Sequence, residues 1–147
     1  MVFEIQGDLI KAKAKYICHQ VNCRGVMGSG VALCIRNSYP NVYPSYLEYC
    51  RTHNYEELMG SCLYVDCNGK CIINMFAQNG YGHHGRYTDM NAFTKCLSEI
   101  KNKVPAGETI AFPYKIGCGL GGGDWKEVYE EIAGILGDDY CIEFYRK

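Results

Sequence analysis

Short apolar runs alternate along the chain with longer stretches in which apolar residues recur every three or four positions, and the two periods predict different elements. The runs VFEI (2–5), YICHQV (16–21), CLYVD (62–66), CIINMF (71–76), TIAFP (109–113) and YCIEFY (140–145) are rich in β-branched and aromatic residues and predict strands. Between them, SGVALCIRNSYP predicts a helix that opens at Ser29 and must stop near Pro40. YPSYLEYCRTH predicts another, with Pro44 at its start and Tyr46, Leu47 and Cys50 on one face. In TDMNAFTKCLSEIKNKV, Met90, Phe93, Leu97 and Ile100 form a stripe at helical spacing behind a cap at Thr88 or Asp89. DWKEVYEEIAGIL opens at Asp124, with Glu127 at capping-box spacing. Several central strands lack strict alternation, as strands covered by helices on both faces do. The expected fold is α/β: a three-layer α/β/α sandwich around a central mixed sheet, one domain over residues 1–147 with no repeat and no linker.

Asn68-Gly69, between LYVD and CIINMF, is a hairpin signal. It changes how the ten cysteines read. Cys62, Cys67 and Cys71 are the tightest group, but the turn lies between the last two, and no C-x-x-C pair occurs, so no metal site and no disulfide framework is expected. Cys18, Cys34, Cys50, Cys96 and Cys141 lie in apolar segments, where a thiol serves as a small buried hydrophobe. The net charge of −1 has no like-charge block behind it, which argues against a basic face for nucleic acid phosphates. Any anion must then be met by something other than a lysine patch. No run approaches the roughly 18 apolar residues of a membrane span, and MVFEIQGDLI is not a basic-then-apolar leader, so a soluble, cytoplasmic protein with no membrane partner is expected.

Two glycine-rich connections stand out against this frame. IGCGLGGGDW (116–125) follows the strand at 109–113 and places five glycines in seven positions ahead of a helix. VNCRGVMGSGVALCI leads from the strand at 16–21 through Gly25, Gly28 and Gly30 into the next helix. Glycines allow positive φ and close approach, so successive N–H groups can converge on an anion beside a helix N-terminus. Each loop alone also reads as a tight turn; two strand–loop–helix units of this form together favour a bound diphosphate at the carboxyl ends of the strands. Gly117 to Gly122 match G-x-G-x-x-G, but too little chain follows for the further strands of a dinucleotide fold, and G-x-x-x-x-G-K-[ST] and G-x-S-x-G do not occur.

Three segments, GDLIKAKAKYICHQVN, NCRGVMGSGVA and IGCGLGGGDW, resemble in order the opening strands and the two ligand loops of the macrodomains, which bind ADP-ribose. ICHQVNC, YPNVYPSYLEYC and DWKE are most similar to the branch of ADP-ribose-1″-phosphate phosphatases and enzymes that remove ADP-ribose from proteins or DNA. The resemblance covers essentially the whole chain. It implies that Asp8 accepts the adenine amine beside a main-chain contact from Leu9. It further implies that Gly28, Ser29, Gly30 and Val31 wrap one side of the diphosphate, and Gly117, Cys118, Gly119, Leu120 and Gly121 the other. Tyr145 would stack on adenine.

For catalysis the resemblance points to His19 as acid, base or nucleophile and to Asn22 facing the distal ribose. On the residues alone, His19 in a buried strand reads first as a hydrogen-bonded core histidine, and the resemblance brings the catalytic reading level with it. A branch that uses a lysine after the fourth strand and an aspartate in its second loop differs here, where Met75, Phe76, Ala77 and Gln78, and Gly121, stand instead. Asp124 reads as a helix cap. His83, His84, Arg86 and Asp89 are second-tier candidates for closing over the distal ribose or its 1″-substituent. Three functions follow: a hydrolase acting at the 1″ position of ADP-ribose, on the small molecule or on an ADP-ribosylated protein or nucleic acid; a reader that binds ADP-ribose without turnover; and, most weakly, a dinucleotide oxidoreductase. No cofactor is expected for the hydrolase.

Overall fold

The computed structural model describes residues 1–80, 87–118 and 122–147. Its strands are β1 (Val2–Gln6), β2 (Tyr16–Asn22), β3 (Cys62–Cys67), β4 (Lys70–Gln78), β5 (Thr109–Pro113) and β6 (Cys141–Arg146). Its helices are α1 (Gly30–Ser38), α2 (Val42–Thr52), α3 (Tyr55–Leu58), α4 (Met90–Lys103) and α5 (Trp125–Leu136), with a 3-10 turn at Leu9–Lys11. The six strands lie in the order β1-β6-β5-β2-β4-β3. All pairs are parallel except β3–β4, so the sheet is mixed, as expected. The antiparallel pair is the hairpin marked by Asn68 and Gly69, whose φ values of 53° and 87° both fall in the left-handed region that a two-residue loop of this kind requires.

The missing alternation in the central strands has the cause inferred for it. Successive residues of β2 and β4 are buried on opposite faces: Ile17, Val21, Ile72 and Phe76 meet Ile35, Val42 and Tyr46 of α1 and α2. Cys18, Ile73 and Met75 meet Phe93, Leu97 and Ile100 of α4 and Val128, Ile132 and Leu136 of α5. Each fully buried Phe, Leu or Ile of these layers contributes about 1.5–3 kcal/mol relative to exposure.

The starts of α3, α4 and α5 follow capping chemistry. Asp89 caps α4 by accepting from the Ala92 amide at 3.1 Å, and Asp124 caps α5 by accepting from the Lys126 amide at 3.0 Å. Helix α2 begins at Val42, before Pro44, because proline needs no N–H partner anywhere in a first turn. The one-turn α3 lies outside the sequence expectation and carries a full capping box, Asn54 with Glu57, at 2.8 and 2.9 Å. Among the cysteines, Cys18 and Cys96 are buried as expected, whereas Cys34 is exposed on the outer face of α1. No described helix is long and apolar enough to cross a membrane.

Candidate functional site

Strands β2 and β5 pair only at Tyr16 with Ile110 and Ile17 with Ala111. Beyond that point β2 stays on β4 and β5 stays on β6, so the two part over their carboxyl halves. The connection after β2 crosses through α1 and α2 on one face, and the connection after β5 crosses through α5 on the other. A sheet opens a ligand crevice where neighbouring crossovers diverge in this way. Both glycine-rich connections leave from that place.

The first connection is fastened by its own strand. The Asn22 Oδ1 accepts from the Arg24 amide at 2.9 Å, the Val26 amide at 3.4 Å and the Tyr46 hydroxyl at 2.9 Å, while Nδ2 donates to the Val26 carbonyl at 2.8 Å. Tyr46, wholly buried on α2, shares its single hydrogen between that oxygen and the Asn22 carbonyl, and Tyr43 donates to the Gly25 carbonyl at 3.1 Å. The Arg24 Nε donates to the Asn79 carbonyl at 3.0 Å, which ties the loop to the end of β4. Beyond this knot, Gly28, Ser29, Gly30 and Val31 are exposed, and the Ser29 side chain makes no capping bond. The first-turn amides of α1 are therefore left for another acceptor.

The second connection is closed at its neck. The Gly117 carbonyl accepts from the Gly123 amide at 2.8 Å and from the Thr88 hydroxyl at 2.8 Å. A β-carbon on Gly123 would lie 2.7 Å from that carbonyl oxygen, and Gly117 itself sits at φ +77°, so these two of the five glycines have stated physical reasons. Cys118 continues from the neck, its amide donating to the Lys115 carbonyl at 2.9 Å. Gly119, Leu120 and Gly121 lie outside the described residues, as do His83, His84 and Arg86.

The other expected residues fall at the ends of β1 and β6. Asp8 spends Oδ1 on the Ile10 amide at 3.1 Å, which starts the 3-10 turn, and Oδ2 lies 3.6 Å from the Lys147 ammonium. Leu9 is buried beneath it. The half-buried Tyr145 packs beside Gly7, whose β-carbon would lie 3.7 Å from the ring, and donates to Glu143 at 3.0 Å.

His19 lies on the other face of the strand from Gln20. The ring has no exposed surface and lies on the same face of β2 as Ile17 and Val21, under α1 and α2. Nε2 is 2.6 Å from the Asn74 Oδ1, and the Asn74 Nδ2 donates to the carbonyls of Leu63 and Ile72, which orients the amide and makes Nε2 the protonated nitrogen. Burial lowers the pKa to about 4, against the opposing effect of the Asn74 bond, so the ring is neutral in ordinary buffers. The ring is thus enclosed in the core and bonded to Asn74, turned away from the crevice. Asp89 is likewise spent on the α4 cap. Cys23, in the first loop, is pushed up to about 12 by burial and stays a thiol.

The sequence reading gave Gln20 and Asn74 no role, noted Gln78 only as replacing a lysine, and gave Thr88 and Tyr46 only helical roles. Three of them carried a legible signal, because Gln20, Asn74 and Gln78 are polar residues within apolar strands, and a buried amide there must bond to something.

A family model described as Macro domain matches residues 13–132. The DNA ADP-ribosyl glycohydrolase of Mycobacterium tuberculosis is 28% identical over 130 residues, which cover 86% of this chain and 36% of that relative. The ADP-ribose 1″-phosphate phosphatase of Saccharomyces cerevisiae is 26% identical over 165 residues, covering 90% of this chain and 93% of the yeast protein. The chain thus spans little more than a third of the glycohydrolase. Among solved structures, the macrodomain of Mycobacterium tuberculosis DarG superposes with a TM-score of 0.82 at 26% identity, covering 100% of this chain and 98% of that one. Sheet order, loop placement and the family match over residues 13–132 agree, and the chain belongs to the macro domain family.

Proposed function

We propose that the crevice binds ADP-ribose and that the domain hydrolyses at its 1″ position, releasing phosphate from ADP-ribose 1″-phosphate or ADP-ribose from a modified protein or nucleic acid. The observation that carries this reading is the departure of two glycine-rich connections from the one place where β2 and β5 part. Amides of Gly28, Ser29, Gly30 and Val31 take the diphosphate from one side, and the segment from Gly117 through Gly121 takes it from the other. Main-chain amides suffice for this, which suits a chain of net charge −1.

Asp8 fits the adenine end: one oxygen holds the turn and the other is open to an amine once the exposed Lys147 side chain swings aside. Leu9 follows with a main-chain contact, and Tyr145 stacks on the base. The second Nδ2 hydrogen of Asn22 is not used by the loop knot and serves the distal ribose. The names of the relatives support chemistry at the 1″ carbon. Its acid–base groups come from His83 or His84, with Arg86 as a charge partner for the 1″-substituent, and His19 contributes rigidity to the strand below.

A reader that binds ADP-ribose without turnover is the second reading. It is favoured by the enclosed, neutral His19 and the protonated Cys23, which leave the described crevice residues with contacts to offer and no attacking group.

Calorimetry with ADP-ribose and phosphorus NMR of ADP-ribose 1″-phosphate test both. Binding with appearance of inorganic phosphate supports the hydrolase, and a His83→Ala/His84→Ala double variant is then expected to bind and to release phosphate more slowly. Binding with the phosphomonoester, ADP-ribosylated protein and ADP-ribosylated DNA all left intact selects the reader. No heat of binding overturns both.

A further inference from the structure

The crevice floor holds a run of side chains that the ADP-ribose reading leaves unused. Gln20 lies near the end of β2, Gln78 at the end of β4, and Thr88 is buried beside them through an antiparallel bridge to Gln78. The Gln20 Nε2 donates to the Gln78 Oε1 at 2.9 Å and to the Thr88 Oγ1 at 2.9 Å. The Thr88 hydroxyl donates to the Gly117 carbonyl, and the Gln78 Nε2 donates to the Gly80 carbonyl.

The direction of every bond is determined by chemistry. A carbonyl only accepts, so the single Thr88 hydrogen goes to Gly117, and the Thr88 oxygen must accept from the Gln20 amide. Gln20 then spends its second hydrogen on Gln78. Its Oε1 is left buried without a partner among the described residues, and it lies 3.0 Å from the place a β-carbon on Gly117 would occupy. An aliphatic side chain would fill this space without stranding an acceptor, and an orphaned buried acceptor costs free energy. An amide stands here instead, at the root of the loop assigned to the diphosphate.

We propose that Gln20 and Thr88 are positioning residues. Their relay holds the Gly117 peptide, and so the neck of the β5–α5 connection, in the attitude that receives the diphosphate, and it ties that attitude to the segment that returns from β4. Neither residue touches the ligand; each acts through the Gly117 carbonyl. The inference rests on the ADP-ribose reading for its functional consequence and on the hydrogen bonds alone for its structural one.

Thr88→Val keeps the shape and removes the donor; Thr88→Ser keeps the donor; Gln20→Met removes the amide; Ile100→Val, in the distant α4 layer, lowers stability without touching the relay. ADP-ribose affinity by calorimetry, melting temperature and amide exchange of Gly123 are measured on each. Thr88→Val and Gln20→Met are expected to weaken ADP-ribose about tenfold, Thr88→Ser to stay within about twofold, and Ile100→Val to melt lower with unchanged affinity. Faster Gly123 exchange is expected in Thr88→Val and not in Thr88→Ser. Wild-type affinity in Thr88→Val and Gln20→Met, or an affinity loss in Ile100→Val of the same size, overturns the proposal. If Thr88→Val does not fold, Gln20→Met carries the test. If the wild-type protein binds no ADP-ribose, the functional reading falls by itself, and the Gly123 amide alone decides the relay: unchanged exchange in Thr88→Val removes it.

Discussion

The two glycine-rich connections serve one crevice and are held in opposite ways. The one after β2 is fastened from within: Asn22 bonds to the amides of Arg24 and Val26 and receives Tyr46, so polar side chains shape the loop and the glycines beyond it stay exposed. The one after β5 is fastened by absence of side chains: Gly123 must approach the Gly117 carbonyl to 2.8 Å, and a remote threonine completes the closure. A loop of the first kind breaks when a polar group is deleted. A loop of the second kind breaks when a methyl group is added.

The deepest cut is in the first loop. Asn22→Ala removes the acceptor of three donors and one donor of its own, and at about 1 kcal/mol per lost bond the protein loses roughly 3–4 kcal/mol of stability; urea unfolding checks it. Tyr46→Phe spares the bonds to Arg24 and Val26 and is expected to cost about 1–2 kcal/mol. Equal losses in the two variants would mean that the tyrosine, and not the asparagine, organises the loop.

Next in size is a pH effect from the strand beneath that loop. His19 titrates at about 4 in the fold and near 6.5 when unfolded, so between these values the unfolded chain binds more protons. Stability is therefore present in full above about pH 6.5 and falls as pH drops toward 4, by roughly 3 kcal/mol in all. Urea unfolding at pH 7.5, 6.0 and 4.5 on the wild-type protein and His19→Gln measures the share due to this ring; the same slope in both assigns it elsewhere.

A further pair of effects separates glycines that look alike in the sequence. Gly123→Ala meets a backbone oxygen at 2.7 Å, and a displaced neck is expected to weaken ADP-ribose by about 100-fold, or roughly 2.7 kcal/mol. Gly30→Ala meets nothing within 4 Å, and its φ of +59° alone costs about 1 kcal/mol of stability. Should Gly30→Ala abolish binding while Gly123→Ala does not, the contrast drawn between the loops is reversed.

Much of this was determined by the sequence alone. The apolar runs located every strand, the Asn68-Gly69 pair located the hairpin, the stripe from Met90 to Ile100 located α4, and the two glycine loops were placed between the correct elements. These features are local: turn chemistry, capping and periodicity act within a few residues, so a short window contains their cause. The capping box at Asn54 and Glu57 was equally local, but a single helical turn has no period to draw attention to it.

What the tertiary structure decided was adjacency and burial. That β2 lies beside β5, that the two part after two residues, and that their crossovers take opposite faces depend on pairing between segments far apart in the chain. His19 and Gln20 are neighbours in sequence, yet the pleat sends one into the core under α1 and α2 and the other to the crevice floor. No property of either side chain distinguishes those destinies. They follow from which face each layer of helices covers, and that is settled only when the whole sheet assembles.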